Sequence, residues 1–283
     1  MPPAKEQQAD LRAANTRILR WKHGVLGQAA NDSLAREEPL EIRVKGESVA
    51  VTMRTPGHDE ELAIGFLLSE GVIAGPSDVL EVAPCQRGEA ALHGNVLNVF
   101  LAPKVGIDLA KLRRNVYASS SCGLCGKASI ESVHNHFEPL TKREPVIAAE
   151  LILQLPAKLR AKQETFDKTG GLHAAGLFDD AGNLLTLRED IGRHNAVDKV
   201  LGRSMLDGNF PLEDRVLMVS GRASFEILQK ALAGRVPVIC AVSAPSSLAV
   251  EFARESGQTL VGFLRGDTFN VYSHQERIMG LGD

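Results

Sequence analysis

Apolar and polar residues alternate from Leu40 to Met53, with Leu40, Ile42 and Val44 before a Lys45-Gly46-Glu47 turn and Val49, Val51 and Met53 after it. A period of two puts alternate side chains on opposite faces of a strand, so this stretch predicts a β-hairpin. Asp59 follows a Thr55-Pro56-Gly57-His58 loop. It is placed to cap a helix whose apolar positions are Leu62, Ile64, Phe66, Leu67 and Leu68, with Gly71 ending it. Strands fit 79–83 and 96–101, and a short helix fits 109–116. Helical spacing returns over 148–164. Pro156 lies inside that stretch, lacks an N–H, and is expected to break or kink the helix.

From Thr169 onward the pattern changes. Residues 170–178 read as a buried strand of small side chains, 179–183 as a turn, and 184–187 as the returning strand. A helix fits 192–202. Apolar runs at 216–219, 236–242 and 260–264 alternate with helices ending at Ala233 and Arg254, and a last strand fits 269–272. Such units in series predict an α/β layer around a partly parallel sheet. The expected division is a polar tail over 1–16, disordered or loosely helical, then a β-rich part over 17–115. A mobile CxxC loop over 116–130 and an α/β part over 131–283 follow.

Composition narrows the classes. The 283 residues allow one large or two modest domains, and a hydrophobic content of 44% is ample for a core. A net charge of −3 argues against general nucleic-acid binding. The first eight residues are polar, unlike a signal peptide, and no apolar run approaches the ~20 residues of a membrane span. A cytoplasmic protein without membrane insertion is expected. In that compartment a CxxC serves redox, metal or sulfur chemistry more often than a structural disulfide.

The four cysteines are Cys85, Cys122, Cys125 and Cys240, and the CxxC lies in Ser119-Ser120-Ser121-Cys122-Gly123-Leu124-Cys125-Gly126-Lys127. Small neighbours leave both thiols open, and the nearby lysine favours thiolate. A zinc site would need ligands from elsewhere, since no second CxxC exists and His134 and His136 are too close together for a finger. A disulfide-exchange site would sit at a helix start after the first strand of a βαβ unit; here a triple-serine loop precedes the motif, well into the chain, and no aromatic directly precedes Cys122. Two incidental thiols are the bland alternative. The frame best suits a nucleophilic cysteine that accepts and passes on sulfur.

A second constellation is Asp190-Ile191-Gly192-Arg193-His194-Asn195-Ala196-Val197-Asp198-Lys199. Asp190 is placed to cap a helix with Arg193 and His194 in its first turn, a setting that suits anions. A solvated helix start with internal salt bridges is the competing reading. His173 and His194 are the general-base candidates. Two strand-to-helix turns, Ser220-Gly221-Arg222-Ala223-Ser224 and Ser243-Ala244-Pro245-Ser246-Ser247, add unpaired backbone N–H groups. Neither matches a Walker A or a dinucleotide fingerprint. Together with Arg193, Arg222 and Arg265 they point to a large anionic ligand.

The runs 119–129, 169–175, 190–199, 220–226 and 262–265, with Val271-Tyr272, resemble the FdhD family of formate dehydrogenase accessory sulfurtransferases, over roughly Val44 to the carboxyl terminus. The resemblance implies a homodimeric sulfur carrier. It takes sulfur from a cysteine desulfurase as a cysteine persulfide. It transfers that sulfur to the bis(molybdopterin guanine dinucleotide) cofactor before insertion into the formate dehydrogenase catalytic subunit. Cys122 matches the persulfide cysteine and Cys125 the second cysteine of the motif. Phe263, Leu264, Arg265, Gly266, Asp267 and Thr268 match the cofactor-binding segment, with Arg193, His194, Ser220 and Arg222 as further contacts. GDP is the natural soluble analogue of the cofactor. This segment is less basic than the bacterial pattern, and Asp267 is placed to accept from guanine N1–H and N2–H.

The same resemblance implies a cytidine-deaminase-like three-layer α/β domain at the carboxyl end and a smaller β-rich amino-terminal domain. The zinc deaminase signature, H-x-E with P-C-x-x-C, is absent: Ala174-Ala175 follow His173, and Ser121 precedes Cys122. No metal ligand is therefore assigned. The alternative function is a molybdenum cofactor-binding chaperone through which no sulfur passes covalently.

Overall fold

The computed structural model describes residues 10–86, 94–107 and 137–281. The expected helix at 109–116, the CxxC loop and its two cysteines lie outside them. Strands β1 (Ala13–Lys22) and β2 (Val25–Ala35) form a two-stranded antiparallel ribbon. Ala13–Thr16 therefore belong to a strand, not to a loose tail. Helix α3 (Glu164–Thr169) supports the root of this ribbon, where Lys168 pairs with Asp10 at 2.8 Å.

The hairpin expected around Lys45 is β3 (Glu38–Val44) with β4 (Glu47–Arg54). Lys45 and Gly46 both take positive φ, 53° and 80°, the geometry that matches the twist of two paired strands. β5 (Val79–Pro84) and β6 (Val96–Leu101) complete a sheet of order β4-β3-β6-β5. Helix α1 (Asp59–Ser69) covers its inner face. His58, in left-handed conformation, occupies the cap position. Asp59 is instead the first helical residue, and Arg54 grips its carboxylate at 2.8 and 2.9 Å.

After β7 (Ile147–Ala148), helix α2 (Ala149–Arg160) runs unbroken through Pro156. Ile152, Leu155 and Leu159 are each at most 1% exposed, and this burial outweighs the proline's cost of about 3 kcal/mol.

The central sheet has six strands in the order β13-β12-β11-β10-β8-β9. They are β8 (His173–Phe178), β9 (Leu184–Asp190), β10 (Val216–Val219), β11 (Val238–Ala241), β12 (Thr259–Arg265) and β13 (Thr268–Ser273). β10, β11 and β12 are parallel, and β8, β9 and β13 pair antiparallel to their neighbours. Side chains alternate across the sheet. Val216, Met218, Val238 and Cys240 join the core under α2 and β14 (Ile278–Met279). Leu217, Val219, Ile239 and Ala241 join the core under α4 (Arg193–Leu206), α5 (Phe225–Ala233) and α6 (Ser247–Glu255). The fold is thus a mixed α/β architecture with helices on both faces of the sheet.

The second core continues into α1 and the four-stranded sheet, so the β-rich and α/β parts share one interior. Helices α1 and α4 touch backbone to backbone. A Cβ on Gly65 would lie 1.9 Å from the Asp198 carbonyl oxygen, and one on Gly202 would lie 1.8 Å from that of Glu61.

Candidate functional site

The three parallel strands all end at one edge of the central sheet, and β8, antiparallel to β10, begins there. β9 ends there too, since His173 pairs with Asp190. Residues 173, 190–194, 220–224, 242–246 and 263–268 therefore converge on that edge. Loops at the carboxyl ends of parallel strands are where open α/β sheets place ligands.

The first turn of α4 is fixed from beneath. Gly192 holds the cap position; Asp190 lies two residues earlier and acts through its carboxylate, not as the cap residue. Asp190 Oδ1 accepts from the Gly192 N–H at 2.8 Å and from Asn195 Nδ2 at 3.0 Å. Its Oδ2 accepts from the Thr55 N–H at 3.1 Å and faces Lys199 Nζ at 2.7 Å. Asp190 and Lys199 are sealed from water, so the internal salt bridge of the competing reading is present but buried, beneath a half-buried turn at 191–194. The network links α4 to the β4–α1 connection and gives the turn that carries Arg193 a rigid base.

Arg193, Arg222 and His173 gather around Gly221. A Cβ on Gly221 would lie 3.3 Å from His173 Nδ1 and 3.9 Å from Arg193 Cδ. Burial pushes the His173 imidazole below its usual range, with Arg193 and Arg222 adding to the effect against Asp190. His194 is pushed down to about 4 by burial, then by Arg193 and Lys230, with Glu226 opposing. Both rings are therefore neutral at pH 7. His194 Nε2 lies 3.3 Å from Ser224 Oγ and 3.6 Å from Glu226 Oε2. Hydroxyl and carboxylate meet the same ring nitrogen, so they form no serine–histidine–acid relay, which needs opposite nitrogens.

Arg193 Nε is buried and has no hydrogen-bond partner among the described residues. A buried unpaired guanidinium N–H costs free energy that an anion would recover. Arg222 is exposed beside it. Ser220 has a structural duty: its Oγ accepts from the Ala174 N–H, and its own N–H donates to the Ala174 carbonyl, both at 2.9 Å.

The 263–268 segment forms the end of the β12–β13 hairpin. Phe263 takes a φ of 51° at a register shift and is 40% exposed. Its N–H donates to the Ser243 carbonyl at 3.2 Å, and Arg265 Nε donates to the Val242 carbonyl at 2.8 Å. The Arg265 guanidinium lies 5.8 Å from the Phe263 ring centre. Gly266, Asp267 and Thr268 are exposed, and the Thr268 hydroxyl donates to the Arg265 carbonyl at 3.3 Å. Leu264 is different: its side chain is fully buried in the core under α2. The segment and the Arg193 group are joined through the two turns, where Ser246 N–H donates to the Ala223 carbonyl at 3.0 Å.

Of the residues singled out by sequence, the structure groups Arg193, His194, Ser220 and Arg222. It sets Phe263, Arg265, Asp267 and Thr268 along the same edge. Gly221 and Ser224 stand in the strand-to-helix turn read from the sequence, but that Gly221 floors the cluster and that Ser224 and Glu226 hold His194 was not foreseen there. Cys240 lies in the α2-side core, its thiol pushed up to about 12 by burial. Among the described residues, no three His, Cys, Asp or Glu side chains gather to hold a metal ion. No helix among them is long and apolar enough to cross a membrane.

Comparison with known proteins agrees with this architecture. Residues 35–279 match the model of the FdhD/NarQ family. A sulfur carrier protein FdhD from Streptomyces coelicolor is 51% identical over 268 residues, covering 93% of this chain and 94% of that protein. Its namesake from Mycobacterium tuberculosis is 54% identical over 253 residues, covering 87% and 92%. A crystal structure from Desulfotalea psychrophila, assigned as a formate dehydrogenase accessory protein, superposes with a TM-score of 0.76 at 24% identity. It covers 95% of this chain and 100% of that one. With a family match spanning nearly the whole chain and relatives identical at half of all positions, this chain belongs to the FdhD/NarQ family.

Proposed function

We propose that this protein is a cytoplasmic sulfur carrier in formate dehydrogenase maturation. The Cys122 thiolate attacks the outer sulfur of a cysteine desulfurase persulfide. The donor's S–S bond breaks, the donor leaves as thiolate, and Cys122 becomes a persulfide. The outer sulfur then passes to the metal of the bis(molybdopterin guanine dinucleotide) substrate. The metal supplies the electron pair that makes it a sulfido ligand, and Cys122 returns to thiolate. The acceptor apoprotein is the formate dehydrogenase catalytic subunit. Membership of a family whose relatives carry the name sulfur carrier protein supports the reading.

The observation that carries the cofactor half is the unpartnered Arg193 Nε beside Arg222, at an edge where five segments converge. Guanidinium groups and a helix start suit the phosphates of a guanine dinucleotide. Phe263 offers a ring face to a base, and Asp267 offers acceptors to guanine N1–H and N2–H. Cys125 resolves the persulfide as a disulfide, protects the site or merely tunes the loop. The α/β part is read as a cytidine-deaminase-like domain that has kept the sheet edge for binding, without the hydrolytic zinc signature.

Incubation with desulfurase and cysteine, followed by peptide mass spectrometry, tests the reading. A gain of about 32 Da, one sulfur atom, is expected on the Cys122 peptide. An unmodified Cys122 in protein that still binds GDP would instead favour a chaperone that carries the cofactor without covalent transfer.

A further inference from the structure

Two strand–helix units lie side by side at the ligand edge, and their helix starts differ. Val216 pairs with Val238 and Ala223 with Pro245, so one register runs from β10 and β11 into the turns that follow. It sets Ser224 level with Ser246, and these are the cap residues of α5 and α6. Ser246 caps its helix in the usual way: its hydroxyl accepts from the Ala249 N–H at 3.2 Å. Ser224 makes no such bond. Its hydroxyl faces His194 Nε2 at 3.3 Å.

The start of α5 is filled from within its own first turn. The Glu226 side chain folds back, accepting from the Ser224 hydroxyl and from the Glu226 N–H, and its Oε2 lies 3.6 Å from His194 Nε2. Burial works against the charged carboxyl, but Ser224, His194, its own N–H and Arg193 outweigh it and hold the group below its usual range. The carboxylate is therefore ionised at neutral pH. A hydroxyl, a helix start and a nearby guanidinium are also the partners that a phosphate seeks. Arg193, whose buried Nε has no partner among the described residues, acts electrostatically on both His194 and Glu226. The Glu226 side chain is 44% exposed, so it has room to turn into solvent.

We propose that Glu226 is a specificity-determining residue of this edge: its carboxylate occupies a phosphate position at the start of α5, and a ligand displaces it only by bringing a phosphate to Ser224 and His194. The proposal rests on the reading of the edge as a nucleotide site. It gives the acidic residue a part in a site otherwise built of cations. A carrier must give up its cargo, and an internal anion that returns to the helix start lowers the cost of release. Without that carboxylate the site holds the nucleotide more tightly.

Calorimetry with GDP on the full chain tests it. Glu226→Gln keeps the shape of the side chain and removes the competing charge, and it is expected to tighten GDP binding about tenfold. Glu226→Ala is expected to show the same gain. Guanosine, which brings no phosphate, is expected to show none. The gain should persist in about 0.5 M salt, where long-range repulsion is screened. It should shrink in a Ser224→Ala background, because the hydroxyl that passes from Glu226 to the phosphate is then missing. Unchanged or weaker GDP binding by both Glu226 variants, beside a wild type that binds GDP, overturns the proposal and leaves the nucleotide site standing. A gain shared by guanosine, lost in salt, or undiminished without the Ser224 hydroxyl overturns it too. If neither wild type nor variants bind GDP, the reading of the edge falls and the proposal with it.

Discussion

Asp190 and Lys199 meet at 2.7 Å in a place where neither side chain is more than 1% exposed. Lys199 also donates to the Thr55 carbonyl at 2.8 Å, so one ammonium ties α4 to the segment after β4. Replacing Lys199 with Met strands a carboxylate in the interior. Loss of about 3–5 kcal/mol is expected in urea unfolding. The double variant Asp190→Asn/Lys199→Met should recover a large part of it, since no lone charge then remains.

The crossing of α1 and α4 leaves no room at Gly65 or Gly202. The obstacle in each case is backbone, which cannot swing aside as a side chain can. Gly65→Ala or Gly202→Ala must therefore part the helices. A cost of about 3 kcal/mol or more, above the usual range for overpacking, is expected by thermal denaturation. A change below about 1 kcal/mol would contradict so close an approach.

His194 gives stability a pH dependence. Its ordinary value is 6.5 and its folded value is about 4. Between those values the unfolded chain binds a proton that the folded chain does not, so stability falls as pH drops from 6.5 towards 4. Above 6.5 the group contributes no slope. His194→Gln should flatten this part of the stability–pH curve, read from urea midpoints at several pH values.

Ligand binding should run the other way in pH. An anion beside His173, Arg193 and Arg222 favours the protonated ring, so GDP binding takes up protons and tightens as pH falls below neutrality. Calorimetry in buffers of different ionisation enthalpy measures the uptake directly. Arg193→Ala and Arg222→Ala should each weaken GDP by about tenfold. Asp267→Asn should reduce the preference for GDP over ADP.

Cys122→Ala should abolish formate dehydrogenase maturation in a complementation assay and leave GDP affinity intact. Cys125→Ala should do less. Full activity from the Cys122→Ala protein would remove the covalent half of the proposed function.

Much of the fold was legible because its signals are local. The alternation around Lys45-Gly46 gave β3 and β4, and the apolar runs at 216–219 and 260–264 gave β10 and β12. Pro156 misled because its penalty is local while the burial of Ile152 and Leu159 is not. The β1–β2 ribbon was missed because residues such as Ala13, Asn15 and Thr16 carry no alternation, and both of its faces meet water. Asp59 and Asp190 looked like caps, but each spends its carboxylate elsewhere, on Arg54 or on the Lys199 network. The site was half legible. Arg193 and Arg222 stood out as cations near helix starts. Their meeting with His173 depends on strand register between distant segments, which no local pattern carries.

Leu264 lies in the core beneath α2, while Phe263 and Arg265 face out on either side of it. The platform proposed for a guanine nucleotide is thus riveted from behind. It cannot swing toward an incoming molecule without pulling a leucine out of the opposite layer. Whatever travels during the reaction cycle must come to this shelf, and changes in the far layer should be felt as looser nucleotide grip.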